Sequence, residues 1–346
     1  MSLGQAAIEL RGSGAANATD FPGAVKQLRA LTSADLERVN HEILKNTQNA
    51  AAFIPDVAEH LVSAGGKRIR PMLTIAAARC FDYDAGNHIK LAAAVELIHG
   101  ATLLHDDVVD ESALRRGATT ANIVWGNKES VLVGDYIFSR AFELMVETQN
   151  LHVLDVLSRT SGTIAEGEVM QLSTQRKLET SFDDYIAVVN AKTAALFAAA
   201  TQVGALIAHA NPTQCEAMRR FGSDFGIAYQ LVDDALDYCG AEAALGKTVG
   251  DDFREGKMTL PVVFAIERAD DTERTFWKRV IAENRQADGD FEQACEIIAR
   301  HNTLDDTLQR AHDYASSAVQ ALEETPANEW SDALATLVES SVNRAF

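Results

Sequence analysis

The sequence predicts an all-α protein, a single-domain antiparallel helical bundle around a central cavity. Three observations point to the helical class. Ala and Leu dominate the apolar residues, and Pro numbers only 6 in 346 residues; Ala and Leu rank near the top in helix propensity, whereas Pro breaks helices. Apolar residues recur at helical spacing in segment after segment. No segment alternates apolar and polar residues as a half-buried strand does. A hydrophobic content of 47% supports a large interior. The length allows one large domain or two ordinary ones, and the uniform helical pattern favours one.

Residues 1–30 are rich in Gly, Ala and small polar residues. They read as a mobile arm with at most a short helix, leaving 31–346 as the helical domain. Leu91, Val95, Ile98 and Thr102 then mark a helix that runs into an acidic motif. Residues 131–145 and 187–208 give two more apolar helices, and 221–238 carries a second acidic motif. Residues 261–266 read as a buried helix with Pro in its opening turn. The stretch 304–346 fits one or two amphipathic helices with a turn near Pro326.

A formal net charge of -19 disfavours nucleic acid as a partner. The four cysteines, Cys80, Cys215, Cys239 and Cys295, form no Cys-x-x-Cys pair and have no His cluster beside them. This argues against structural zinc or a disulfide framework and for reduced cytoplasmic thiols. Neither a signal-peptide pattern nor an uninterrupted apolar run of the ~20 residues that a spanning helix needs is expected.

The acidic motifs are Asp106-Asp107-Val108-Val109-Asp110 and Asp233-Asp234-Ala235-Leu236-Asp237. On a helix the first and last Asp of each share a face, roughly 6 Å apart along the axis. One such motif reads equally well as a solvated acidic face. Two of them, each embedded in apolar sequence, call for a cation, because like charges at this spacing repel. Magnesium suits the task, since it bridges one or two carboxylates to substrate phosphates.

Basic groups complete a diphosphate site. Lys67 and Arg70 lie in Gly65-Gly66-Lys67-Arg68-Ile69-Arg70-Pro71, which lacks P-loop spacing. Arg115 and Arg116 follow the first acidic motif, and Arg suits bidentate phosphate contacts. Lys192-Thr193 interrupts an Ala-rich helix, where a phosphate contact is favoured for Lys192 over snorkelling to water along its stem. Gly246-Lys247 and Gly256-Lys257 flank Asp251-Asp252, and His99 lies one to two turns before Asp106.

In order and combination these segments, with Gly134-Asp135-Tyr136 and Gln230-Leu231-Val232-Asp233-Asp234, resemble the trans-polyprenyl diphosphate synthases, most closely the long-chain bacterial octaprenyl, solanesyl and decaprenyl type. The resemblance spans residues 30–346. It implies a cytoplasmic homodimeric prenyltransferase that uses Mg2+, isopentenyl diphosphate and an allylic diphosphate (farnesyl or geranylgeranyl). The product is then destined for a quinone side chain, with transient membrane-surface contact at its release. It also implies roles. Asp106 and Asp110 bind metal, supported by Asp107, and Asp233 with Asp237 binds metal from the opposite wall. Arg115, Lys192 and Lys257 hold the allylic diphosphate, with Lys247 a further substrate contact. Lys67, Arg70, His99 and Arg116 hold isopentenyl diphosphate, while Thr193 and Gln230 line the developing cation.

Ala101 and Thr102, one turn before the first motif, are small where shorter-chain members carry a bulky aromatic, so a long product is expected. Phe138, Phe142 and Met145 share a helix face and are the candidate cavity floor; ordinary core packing explains them equally well. Three rivals stand beside this reading: a class I terpene cyclase, which lacks the Lys67/Arg70/Arg116 set, a noncatalytic partner subunit, and a shorter-chain synthase.

Overall fold

Phe21–Thr47 forms helix α1 in a computed structural model that describes residues 19–48, 53–63, 66–115, 117–239 and 249–344. Asp20 caps this helix by accepting a bond from the Gly23 amide, and Pro22 sits in the first turn, where its missing N–H is not needed. Phe21, Ala24, Val25 and Leu28 are buried in the core. The expected arm over 1–30 is therefore too long. Residues 21–30 belong to the bundle, because their apolar side chains fall on one helical face. Residues 1–18 lie outside the described residues.

Helices α2 (Ile54–Ser63), α3 (Ile69–Arg79) and α4 (Asn87–Val109) follow. Next comes an antiparallel pair, β1 (Leu114–Arg115) with β2 (Ala118–Thr119), turning at Gly117 with φ 77°. Two-residue strands leave no alternation to read, so the sequence pattern misses them. Helices α5 (Ala121–Val124), α6 (Asn127–Glu147) and α7 (Leu151–Thr174) lead to a long rod. This rod consists of α8 (Phe182–Val189), a π-helical turn (Asn190–Ala194) and α9 (Ala195–Ile207). After it come α10 (Pro212–Cys239), α11 (Asp251–Glu255), α12 (Leu260–Arg268), α13 (Asp271–Trp277), α14 (Asp290–Arg300), α15 (Thr303–Ala321) and α16 (Glu329–Val342).

The core runs along the bundle axis. Helix α4 packs on α6, α9 lies between α3 and α10, and α10 packs on α15. Phe197, Phe221 and Phe225 are fully buried between them. By length and composition the rod Phe182–Ile207 is apolar enough to cross a membrane, but 56% of its apolar window is buried inside the bundle. It is the core helix of this fold, hydrophobic all round because neighbours cover it. The C-terminal turn falls where Pro326 suggests, and Asn328 starts α16 with a capping box to Ser331.

Candidate active site

Both acidic motifs sit at the C-terminal ends of helices. Asp106 lies in the last turn of α4 and Asp110 caps it, while Asp233, Asp234 and Asp237 occupy the last two turns of α10; neither helix has a basic residue in its last turn. The negative ends of two helix dipoles thus add to the repulsion among the carboxylates. Both ends open on one cavity of about 660 Å³. Asp106 and Asp110 line it from one side, with Asp233, Asp234 and Asp252 from the other. The carboxyl of Asp106 is pushed up to about 6, by burial first; Glu168 and Asp110 add to this, and Lys192 and Arg115 oppose it.

Within each motif the residues divide their work. Asp107 is buried and accepts a 2.7 Å bond from Arg115 Nε, which fixes that guanidinium beside the cavity. Asp234 is 4% exposed. It accepts from Tyr185 Oη at 2.6 Å and from Gln230 Nε2 at 2.7 Å, and Gln230 Oε1 accepts from Thr193 Oγ1 at 3.0 Å. This chain orients the Gln230 amide at the cavity wall. Asp237 departs from expectation: it does not line the cavity. Its two oxygens accept the backbone N–H groups of Gly250 (3.2 Å) and Asp252 (3.1 Å). These bonds tie Asp237 to the 249–252 segment, and Asp252 of that segment stands on the cavity wall. Helical spacing puts Asp233 and Asp237 on one face, but a returning loop covers only the second.

Cations ring the same space. Lys67, Arg68, Arg70, Arg115, Lys192 and Lys257 all line it. Lys192 does not snorkel to water; its Nζ contacts Glu168 Oε2 and Gln171 Oε1, each at 2.6 Å. Lys257 Nζ lies 3.7 Å from Asp110, 3.8 Å from Asp252 and 2.5 Å from Glu255. Burial opposes its charge, yet Asp252, Asp110 and Glu255 outweigh burial and hold its pKa up. Arg70 lies over the Phe197 ring at 4.6 Å, and its Nη1 is 3.0 Å from His99 Nε2. Arg68, in a left-handed conformation, pairs with Glu96. Arg116 and Lys247 lie outside the described residues.

Sequence reasoning missed several groups at this site. Arg344 in the C-terminal segment lies over Tyr229 at 4.1 Å and Phe21 at 5.2 Å, and approaches Asp233 to 3.7 Å. Lys67 stands over the other partner of this group, the Phe21 ring, at 4.8 Å. Glu168, Gln171 and Tyr185 were missed as well, and Asp252 was noted but given no role. Of these, only Asp252 had a signal, its place between Gly250 and Lys257. Among the chain-length candidates, Thr102 lines the cavity, while Ala101 is fully buried in the core. Phe138, Phe142 and Met145 are not among the lining residues. Phe138 and Phe142 pair with ring centroids 5.5 Å apart, and Met145 is fully buried.

The donor set suits a hard divalent cation. Among the described residues no group of three or more His, Cys, Asp or Glu side chains is by itself arranged to hold a metal ion. Hard divalent cations take carboxylate and phosphate oxygens, and Asp106, Asp110 and Asp233 offer carboxylates on the cavity wall.

Residues 51–298 match the polyprenyl synthetase family. The chain belongs to that family. Octaprenyl diphosphate synthase from Haemophilus influenzae is 39% identical over 322 residues, which cover 93% of this chain and 98% of that protein. The crystal structure of a decaprenyl diphosphate synthase from Rhodobacter capsulatus superposes with a TM-score of 0.90 at 48% identity, over 93% of this chain and 99% of that one. A polyprenyl synthase from Caulobacter crescentus CB15, complexed with calcium and isoprenyl diphosphate, gives 0.89 and 49%, over 95% and 99%. The chain is a prenyltransferase of the long-chain all-trans polyprenyl diphosphate synthase type.

Proposed function

We propose that the cavity holds an allylic diphosphate and isopentenyl diphosphate side by side and joins them head to tail. One observation carries this reading: two carboxylate-bearing helix ends and a ring of cations share a single, largely polar cavity, with Leu103, Val188, Val189, Phe197 and Met258 supplying its apolar lining. Asp106 and Asp110 on one side and Asp233 on the other are the residues that would hold Mg2+. When bound, the ion neutralises charge that develops on the leaving diphosphate, a contribution of several kcal/mol in such sites. Arg115, Lys192 and Lys257 grip the allylic diphosphate as its C–O bond breaks. Lys67, Arg70, His99 and Arg116 hold isopentenyl diphosphate so that its double bond faces the allylic carbon. The carbonyl dipole of Gln230 and the hydroxyl of Thr193 face the cation. The new C–C bond forms, a proton leaves to the departed diphosphate, and the product is five carbons longer. Leu103, Val188, Val189 and Met258 keep water from the cation.

The tail grows past Thr102 toward α6, with a floor among Phe138, Phe142 and Met145. We assign a product of eight to ten isoprene units from a farnesyl or geranylgeranyl starter, a quinone side chain as its destiny, and a cytoplasmic site of action. A homodimer is supported by the exposed apolar side chains Ile123 and Val124 on α5 and Leu132 and Val146 on α6. The direct test incubates purified protein, Mg2+ and a farnesyl starter, with and without isopentenyl diphosphate, and resolves products by reverse-phase chromatography. Long-chain product only with both substrates supports the reading; equal product without isopentenyl diphosphate sinks it.

A further inference from the structure

Lys192 and Thr193 both lie in the π-helical turn Asn190–Ala194. A π turn inserts an extra residue into an α-helix and is rare, so neighbouring structure must accommodate it. Two glycines on different helices close on it. A Cβ added to Gly167 of α7 would stand 2.7 Å from the backbone N of Lys192 and 2.9 Å from Ala191 Cβ. One added to Gly226 of α10 would stand 2.6 Å from Ala194 Cα and 3.0 Å from its Cβ. The closest atom met in each case is backbone, which has no rotamer in which to move away, and close-packed interiors transmit such strain.

The two helices repeat one arrangement. One turn beyond Gly167, Gln171 accepts a bond from Lys192 Nζ, with Glu168 beside it. One turn beyond Gly226, Gln230 accepts from Thr193 Oγ1. Residues four apart share a helix face. Each helix thus supplies a glycine that admits the π turn's backbone and a glutamine that takes the side chain presented there.

We propose that Gly167 and Gly226 are positioning residues for the prenyl transfer, clamping the π turn from two sides so that Lys192 meets the allylic diphosphate and Thr193 faces the cation that forms from it. The proposal rests on the reading of Lys192 and Thr193 as allylic-site groups. A methyl at either glycine must displace the turn by a sizeable fraction of an ångström, and a 1 Å misplacement can cost on the order of a hundred-fold in rate.

The test compares G167A, G226A, G204A and K192Q in thermal unfolding and in steady-state kinetics with both substrates varied. Gly204 of α9 is the control: its added Cβ meets Thr74 O at 2.6 Å and Ala77 Cβ at 2.7 Å, away from the π turn. G167A and G226A are expected to lose about ten- to hundred-fold in kcat and to raise the allylic KM, with the isopentenyl KM within about two-fold. G204A is expected to lose thermal stability while keeping kcat and both KM values within about two-fold. If K192Q is crippled but G167A and G226A keep kcat, or lose no more than G204A, the clamp is overturned and the site reading survives. If K192Q keeps full activity, the site reading fails and the clamp with it. If both glycine variants fail to fold while G204A folds, the glycines are packing residues and the proposal is overturned.

Discussion

Y185F removes one oxygen from the Thr193–Gln230–Asp234–Tyr185 chain and leaves the ring in place. The bond lost is the 2.6 Å donation to Asp234. That carboxyl is pushed up to about 8, by burial first and the Asp252 charge second, while the bonds from Tyr185 and Gln230 pull the other way. Burial, followed by the Asp234 charge, holds the Tyr185 phenol well above its ordinary range, so it remains a donor. Because burial raises its pKa, the native Asp234 takes up a proton ahead of an ordinary carboxylate as pH falls, and once it has done so the lost bond is neutral, worth about 1 kcal/mol. At pH 9 the carboxylate loses a charge-assisted bond, worth about 2–3 kcal/mol. The native pKa lies above the unfolded value of ~3.9, so the native state binds the extra proton and stability falls as pH rises toward the native value. Losing Tyr185's bond raises that native pKa further, so the penalty of Y185F grows with pH. Urea unfolding in EDTA at pH 6 and pH 9 measures both penalties, and kcat is expected to fall about ten-fold as Gln230 loses its fixed orientation. An equal penalty at both pH values, or one under ~0.5 kcal/mol at pH 9, would refute the reasoning.

Three other perturbations probe separate parts of the molecule. F21L removes the ring under Lys67 and Arg344; at ~0.5–1 kcal/mol for each cation–π contact, the isopentenyl diphosphate KM is expected to rise about five-fold, and F21Y to keep the wild-type value. Burial pushes His88 below its ordinary pKa against the pull of Asp35, so the unfolded state takes up the proton first and stability is lost as pH falls below ~6.5. H88F should flatten the decline in Tm between pH 7 and pH 5, and an unchanged slope counts against this. Replacing the true floor residue among Phe138, Phe142 and Met145 with Ala should lengthen the product on chromatography. If none of the three changes the product distribution, the floor lies elsewhere.

The helical class, and most of the charged residues that the structure brings to one cavity, were legible because periodicity and motif spacing are local signals. The division of labour among Asp233, Asp234 and Asp237 was not. One helix presents three identical side chains, and a chain segment beyond it decides that Asp237 is covered by the Gly250 and Asp252 amides while Asp233 faces the cavity. The N-terminal boundary failed for a related reason: Gly and Ala between residues 21 and 30 suggested an arm, but four apolar side chains on one face dock it into the core. The Phe21–Arg344 contact joins opposite ends of the sequence, and no local pattern marks it. Nor does an Ala-rich run reveal where its extra helical residue falls, so the sequence marked Lys192 as a candidate phosphate contact without showing that Glu168 and Gln171 hold it inside.

The central claim is that the two acidic helix ends act together on one leaving diphosphate. It is tested most directly by diphosphate release from wild type, D106N and D233N at saturating Mg2+, with folding checked by thermal unfolding. Each folded variant is predicted to lose at least ~100-fold in kcat, since each removes electrostatic stabilisation where charge develops. A folded D106N or D233N that keeps its rate within about three-fold of wild type would contradict the account.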